Sequence, residues 1–126
     1  MEIALWVITI ILALAMALSG GMKAISGREK LLNNPRMAWA GDFSDPMIRF
    51  IGTAEFLGAL GLILPAVTGI APIVVPWAAV GLAVTMLGAV VVHIRRGDGA
   101  QAAIAPFIFF LMAVFIAWGR FGSYPI

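Results

Sequence analysis

Glu55 stands inside an apolar stretch: between Ile51 and Leu64 it is the only charged side chain. A carboxylate at membrane depth costs about 2.5–3.5 kcal/mol on insertion scales unless it is paired or protonated. Such a group can pair with a cation, accept hydrogen bonds or handle a proton. The candidates to meet it are Lys23, Arg49 and His93, the last being the only histidine in the chain. Helical spacing puts Glu55 on a face with Gly52, Gly58 and Ala59, and Lys23 on a face with Met16, Ser19 and Gly20. Small residues suit a close helix–helix contact, so both side chains are expected to point between helices.

Each of these residues also has a plainer role. Lys23 can snorkel to the headgroups. His93, next to Arg95 and Arg96, can be an interfacial side chain, and Arg49 can serve topology and lipid phosphate. Glu55 can form a purely structural ion pair with Lys23 or Arg49. The sharper expectation is that Lys23, Glu55 and His93 meet in one pocket.

Other chemistry is largely excluded. The chain has no cysteine, which rules out a disulfide, a thiol relay, an iron–sulfur cluster and covalent haem attachment. With one histidine, a dedicated metal centre is not expected, and Met16, Met86 and Met112 read as packing residues. No phosphate-binding glycine loop, nucleophile elbow or paired-histidine site occurs. A net charge of +2 gives no nucleic-acid surface. No residue pattern assigns a catalytic reaction.

The elements that must position these residues follow from composition. Of the 126 residues, 63% are hydrophobic and only 11% charged, against about 25% charged in soluble domains. That leaves too little charge to cover a water-facing surface. The expected fold class is all-α: an integral membrane four-helix up-down bundle, one four-span domain over residues 1–126. The spans are placed at about 3–25, 47–64, 73–94 and 102–119, with a polar connector over 26–46. The first span is read as retained and not as a signal peptide, because its basic residues follow the apolar run and do not precede it.

Local signals set the boundaries. Asn33-Asn34-Pro35 breaks the helix, and Arg36 to Ala40, with Met37 and Trp39, is expected to lie along the headgroups as an interfacial turn. Ser44-Asp45-Pro46 reads as a helix start, and Pro65 as the stop of the second span. Packing faces are drawn from Ala13, Ala17 and Gly21, from Ala54 and Gly58, and from Gly81 and Gly88. Lys23, Arg28, Lys30, Arg36, Arg49, Arg95 and Arg96 fall at one end of the bundle, against Arg120 at the other. This bias places connectors 26–46 and 95–101 in the cytoplasm and both termini outside it. Trp6, Trp77 and Trp118 map to the far face as an aromatic belt. A bacterial plasma membrane is the expected setting.

The same residues resemble a known pattern. Gly20-Gly21-Met22-Lys23 resembles the G-x-x-K-L signature of DoxX-like membrane proteins, with Ala24 where the family usually has leucine. Glu55 followed by Leu57 to Pro65 is similar to that family's second span, and His93-Ile94-Arg95-Arg96-Gly97-Asp98 to the end of its third. The resemblance covers the whole chain in order and spacing. It implies a small four-helix membrane fold in which Lys23, Glu55 and His93 occupy the family's polar positions. The family name derives from a subunit associated with thiosulfate–quinone oxidoreduction, and distant relatives include receptor-assembly chaperones.

Three functions are therefore weighed. The first is a redox-associated membrane subunit that binds a quinone or similar lipid, with electrons supplied by a soluble oxidoreductase. The second is an assembly factor for another membrane protein, and the third a small proton-coupled transporter. The third fits least, since small multidrug transporters carry their acid in the first span and show little charge bias. The bilayer is the one partner composition demands; homo-oligomers are compatible with it.

Overall fold

The hydropathy pattern folds as the lipid requirement dictates, with backbone hydrogen bonds closed inside each helix. The computed structural model describes residues 1–126, apart from the side chain of Arg36, so that member of the basic count lies outside the described residues. Four helices run in chain order: α1 over Glu2–Leu32, α2 over Asp45–Thr68, α3 over Val74–Arg96 and α4 over Ala100–Phe121. They hold 31, 24, 23 and 22 residues, and about 20 suffice to span the hydrocarbon. No strand occurs among the described residues. The chain is an all-α, membrane-spanning four-helix bundle.

Helix ends are set by local chemistry. Ser44 caps α2, its Oγ accepting from Met47 N at 3.3 Å, with Pro46 in the first turn. Pro65 does not end α2 as its sequence suggests. It withholds only one N–H near the end of the helix, so the helix continues for a turn to Thr68. Gly69, left-handed at φ 72°, then closes the end by donating to Pro65 O at 3.0 Å. Gly27, at φ 74° and ψ −177°, breaks α1 near the expected end of span one. That conformation belongs to glycine.

The chain forms two hairpins, with α1 packed most extensively on α2 and α3 on α4, joined through α2–α3 and α1–α4. Leu12, Met16, Leu62, Leu82, Met86 and Ile116 fill the centre. The outer surface is apolar, with Ile3, Leu18, Phe50, Ile70 and Val84 among its exposed side chains, as contact with lipid tails requires.

Close packing falls on Gly58, as expected, and on Gly20 and Gly52 of the Lys23 and Glu55 faces, but not on Gly21, Gly81 or Gly88. A Cβ on Gly20 would lie 2.5 Å from Gly52 O, and one on Gly52 would lie 2.6 Å from Gly20 O, so α1 and α2 touch backbone to backbone. Gly58 fits Leu82 of α3, and Gly119 of α4 fits Leu5 of α1. Gly81 and Gly88 face open space, Gly21 makes only ordinary contact with Phe56, and Ala54 is exposed. Spacing marks a face as small; helix rotation decides which face is covered.

Candidate functional site

The Gly20–Gly52 contact lies one turn from Lys23 on α1 and one turn from Glu55 on α2, and it brings those side chains together. Lys23 Nζ donates to Glu55 Oε1 at 2.6 Å, with side-chain exposures of 12% and 1%. On its other side the ammonium lies 5.4 Å from the centre of the Trp39 ring, a cation–π distance. Glu55 Oε2 is buried with no hydrogen-bond partner among the described residues. A carboxylate oxygen in that state is uncommon in a folded protein, because its desolvation goes uncompensated.

Glu55 and Lys23 line a cavity of about 1020 Å³ between the polar ends of the helices. His93 lines it as well, so three of the four candidates share one wall. Met16, Met86, Val92, Ala105 and Phe109 supply apolar surface, and Ser19, Thr85, Asp98 and Gln101 further polar groups. A shallower groove of about 550 Å³ between α3 and α4, from Val80 to Trp118, is apolar throughout its described lining and carries no titratable side chain.

Arg49 is engaged elsewhere. The break at Gly27 leaves the carbonyls of Ala24 and Ile25 open, and Arg49 Nη1 donates to them at 2.9 and 3.3 Å. Its Nε donates to Asp45 Oδ2 at 2.9 Å, while Arg28 N donates to Asp45 Oδ1 at 2.8 Å. Arg49 is thus a clasp on the broken end of α1, and it does not line the cavity.

The polar connector lines part of the cavity, through Met37, Ala38, Trp39 and Phe43. Pro35–Asp42 forms a 3-10 segment that packs on α1 and α3 at the polar end of the bundle. Its Ala40 is fully buried with Leu31 and Ile48, and Met37, Trp39 and Phe43 pack around that cluster. Arg28 Nη2 donates to Gly41 O at 3.1 Å, and Arg96 Nη1 to Asp42 Oδ2 at 2.6 Å, fastening the segment to α1 and α3. Trp39 is half-buried there, with its ring against the lysine.

Asp98 also lines the cavity and is held by Arg96, and sequence singles out neither as a site residue. Asp98 Oδ2 lies 2.8 Å from His93 Nδ1 and accepts from Arg96 Nε at 3.0 Å. The His93 contact, then the Arg96 hydrogen bond, hold the Asp98 carboxyl below its ordinary range against a smaller opposing effect of desolvation. Gly97 at φ 70° creates the arrangement: Gly97 N bonds Ile94 O and Asp98 N bonds His93 O, each at 3.1 Å. This helix-ending turn folds Asp98 back over the last turn of α3. Its sequence signal is the glycine directly after Arg95-Arg96.

At the opposite end, Arg120 is not a surface counter-charge. Its side chain is 1% exposed, and Nη1 donates to Glu2 Oε1 at 2.7 Å and to Tyr124 O at 3.0 Å. The guanidinium lies 5.5 Å from the Trp6 ring centre and ties α4 to α1.

The cavity thus combines a largely apolar lining with a polar end that holds an ion pair and one unsatisfied oxygen. Among the described residues, no three His, Asp or Glu side chains gather into a metal-holding group. The sequence model of the DoxX-like family matches residues 7–116. No curated protein and no solved structure matches the chain.

Proposed function

The chain belongs to the DoxX-like family, and from that premise we propose that it holds a quinone-like lipophile, as the membrane subunit of a redox system. The observation that carries this reading is Glu55: an acid bound to Lys23 through one oxygen, with the other unpaired among the described residues, on the wall of a cavity large enough for a ring and part of its tail. Lys23 and His93 supply groups that can bond a ring oxygen, and Glu55 is the group that exchanges a proton with it. Electrons come from a soluble oxidoreductase docked at the polar end, since the chain has no cysteine and only one histidine for redox ligation.

The proposed setting is a bacterial plasma membrane with both termini extracytoplasmic, as the clustering of basic side chains at the connector end supports. Because the chain has no cysteine, a single cysteine introduced at Gly99 or Ser123 can report its side through an impermeant thiol reagent.

Mass spectrometry of the lipids and quinones retained by gently purified protein is the direct test, with Glu55→Ala as control. A quinone retained by the unmodified protein and lost from the variant is the expected result. Identical retention by both would remove the ligand site around Glu55. If neither holds a lipophile and a partner's activity fails without this chain, an assembly role takes its place. Proton-driven uptake in liposomes that vanishes in Glu55→Gln would favour transport.

A further inference from the structure

The two oxygens of Glu55 are not equivalent, and their difference specifies the head group. We propose that the cavity selects lipophiles whose polar head is a hydroxyl, such as a phenol, a hydroquinone or a long-chain alcohol, over those whose head is a carbonyl. The inference rests on reading the cavity as a ligand site and narrows the chemistry of what it takes.

Glu55 Oε1 already accepts from Lys23 Nζ at 2.6 Å, whereas Oε2 is buried and has no donor among the described residues. An ionised carboxylate only accepts, and so does a carbonyl oxygen. A carbonyl placed beside Glu55 therefore leaves Oε2 unsatisfied and sets two partial negative charges against each other. A hydroxyl donates its hydrogen to Oε2. With its lone pairs it also accepts one of the two ammonium hydrogens that Lys23 does not spend on Oε1. One hydroxyl satisfies both partners of the ion pair; one carbonyl satisfies only the lysine.

Other polar groups on the wall lean the same way. The Thr85 hydroxyl spends its hydrogen on Gly81 O at 2.9 Å, which leaves it an acceptor toward the cavity. His93 Nδ1 is engaged by Asp98 Oδ2 at 2.8 Å, so only its Nε2 remains for a ligand. Asp98 itself lines the cavity and only accepts. Ser19 and Gln101 can donate or accept and discriminate little.

The test is calorimetry on the full chain in lipid nanodiscs, with a decyl-substituted benzoquinone and the matching hydroquinone as probes, decanol as a third, and empty nanodiscs as the partition background. The hydroquinone is expected to bind at least about tenfold more tightly than the quinone, the size set by giving a buried charged acceptor its donor. Saturable decanol binding above background is expected too, since its hydroxyl meets the same requirement. Glu55→Gln presents an amide N–H in place of one oxygen and should narrow or reverse the ratio. Equal affinities, or tighter quinone binding, on the unmodified protein would overturn hydroxyl selection while leaving a ligand site in place. Saturable binding of none of the three would remove the ligand site and this inference together. The decisive comparison uses the unmodified protein, so it holds even if the variant folds poorly.

Discussion

Gly20 and Gly52 meet backbone to backbone, each occupying the space where the other's side chain would be. One turn away, that contact sets Lys23 and Glu55 at 2.6 Å. The ion pair is thus a consequence of two residues that have no chemistry of their own.

Gly20→Ala or Gly52→Ala should lower stability, although alanine is the better helix former by about 1 kcal/mol. The added methyl meets backbone atoms, including Phe56 N at 2.7 Å from a Cβ on Gly20 and Ala24 N at 2.6 Å from one on Gly52, and these cannot swing aside. Overpacking of this kind costs about 1–3 kcal/mol. Thermal unfolding in detergent checks it, with Gly81→Ala, which meets nothing within 4 Å, as the variant expected to hold or gain stability. Equal behaviour of all three would show that α1 and α2 are not in contact there.

Lys23→Met leaves Glu55 buried without its cation. Removing one member of a buried pair costs about 3–5 kcal/mol, while replacing both with apolar residues is close to neutral. Lys23→Met combined with Glu55→Leu should therefore recover most of the stability lost in the single variant. A double variant as unstable as Lys23→Met alone would mean that the two side chains do not depend on each other.

Gly88 lines the cavity, and a Cβ there meets nothing within 4 Å. Gly88→Leu should fill part of the volume without strain and, by helix propensity, hold or raise the unfolding temperature. Lipophile retained by the unmodified protein should be lost. If retention is unchanged while the fold is intact, the bound molecule sits elsewhere.

Asp98 gives the polar end a defined acid response. Its carboxyl is held below the ordinary value of 3.8, first by His93 and then by Arg96. A depressed carboxylate contributes stability at pH values above its unfolded value, and that contribution is lost as the pH falls through the lower folded value. Unfolding temperature followed from pH 6 downward should show a component that disappears below about pH 4, and Asp98→Asn should lack it. An identical fall in both proteins would assign the acid response to other carboxylates.

Several parts of this molecule were legible in the chain alone. Scarcity of charge and four long apolar runs dictated a membrane bundle, because lipid leaves no other way to satisfy the backbone. Ser44-Asp45-Pro46 marked the start of α2, because capping acts within a few residues. Glu55 announced itself because an acid at that depth must be answered by something.

What answered it was decided only in three dimensions. By sequence, Lys23 and His93 are the residues expected to share a pocket with Glu55, and Arg49 is a further candidate. The rotation of α1 against α2 at Gly20 and Gly52 gave the bond to Lys23, the break at Gly27 drew Arg49 to open carbonyls, and the turn at Gly97 turned His93 to Asp98. The same holds for Trp39, whose ring lies against the lysine, and for Arg120, which is buried against Glu2. Apolar periodicity tells a helix which side to bury but not how far to rotate or which neighbour to meet. Those depend on contacts between residues distant in sequence.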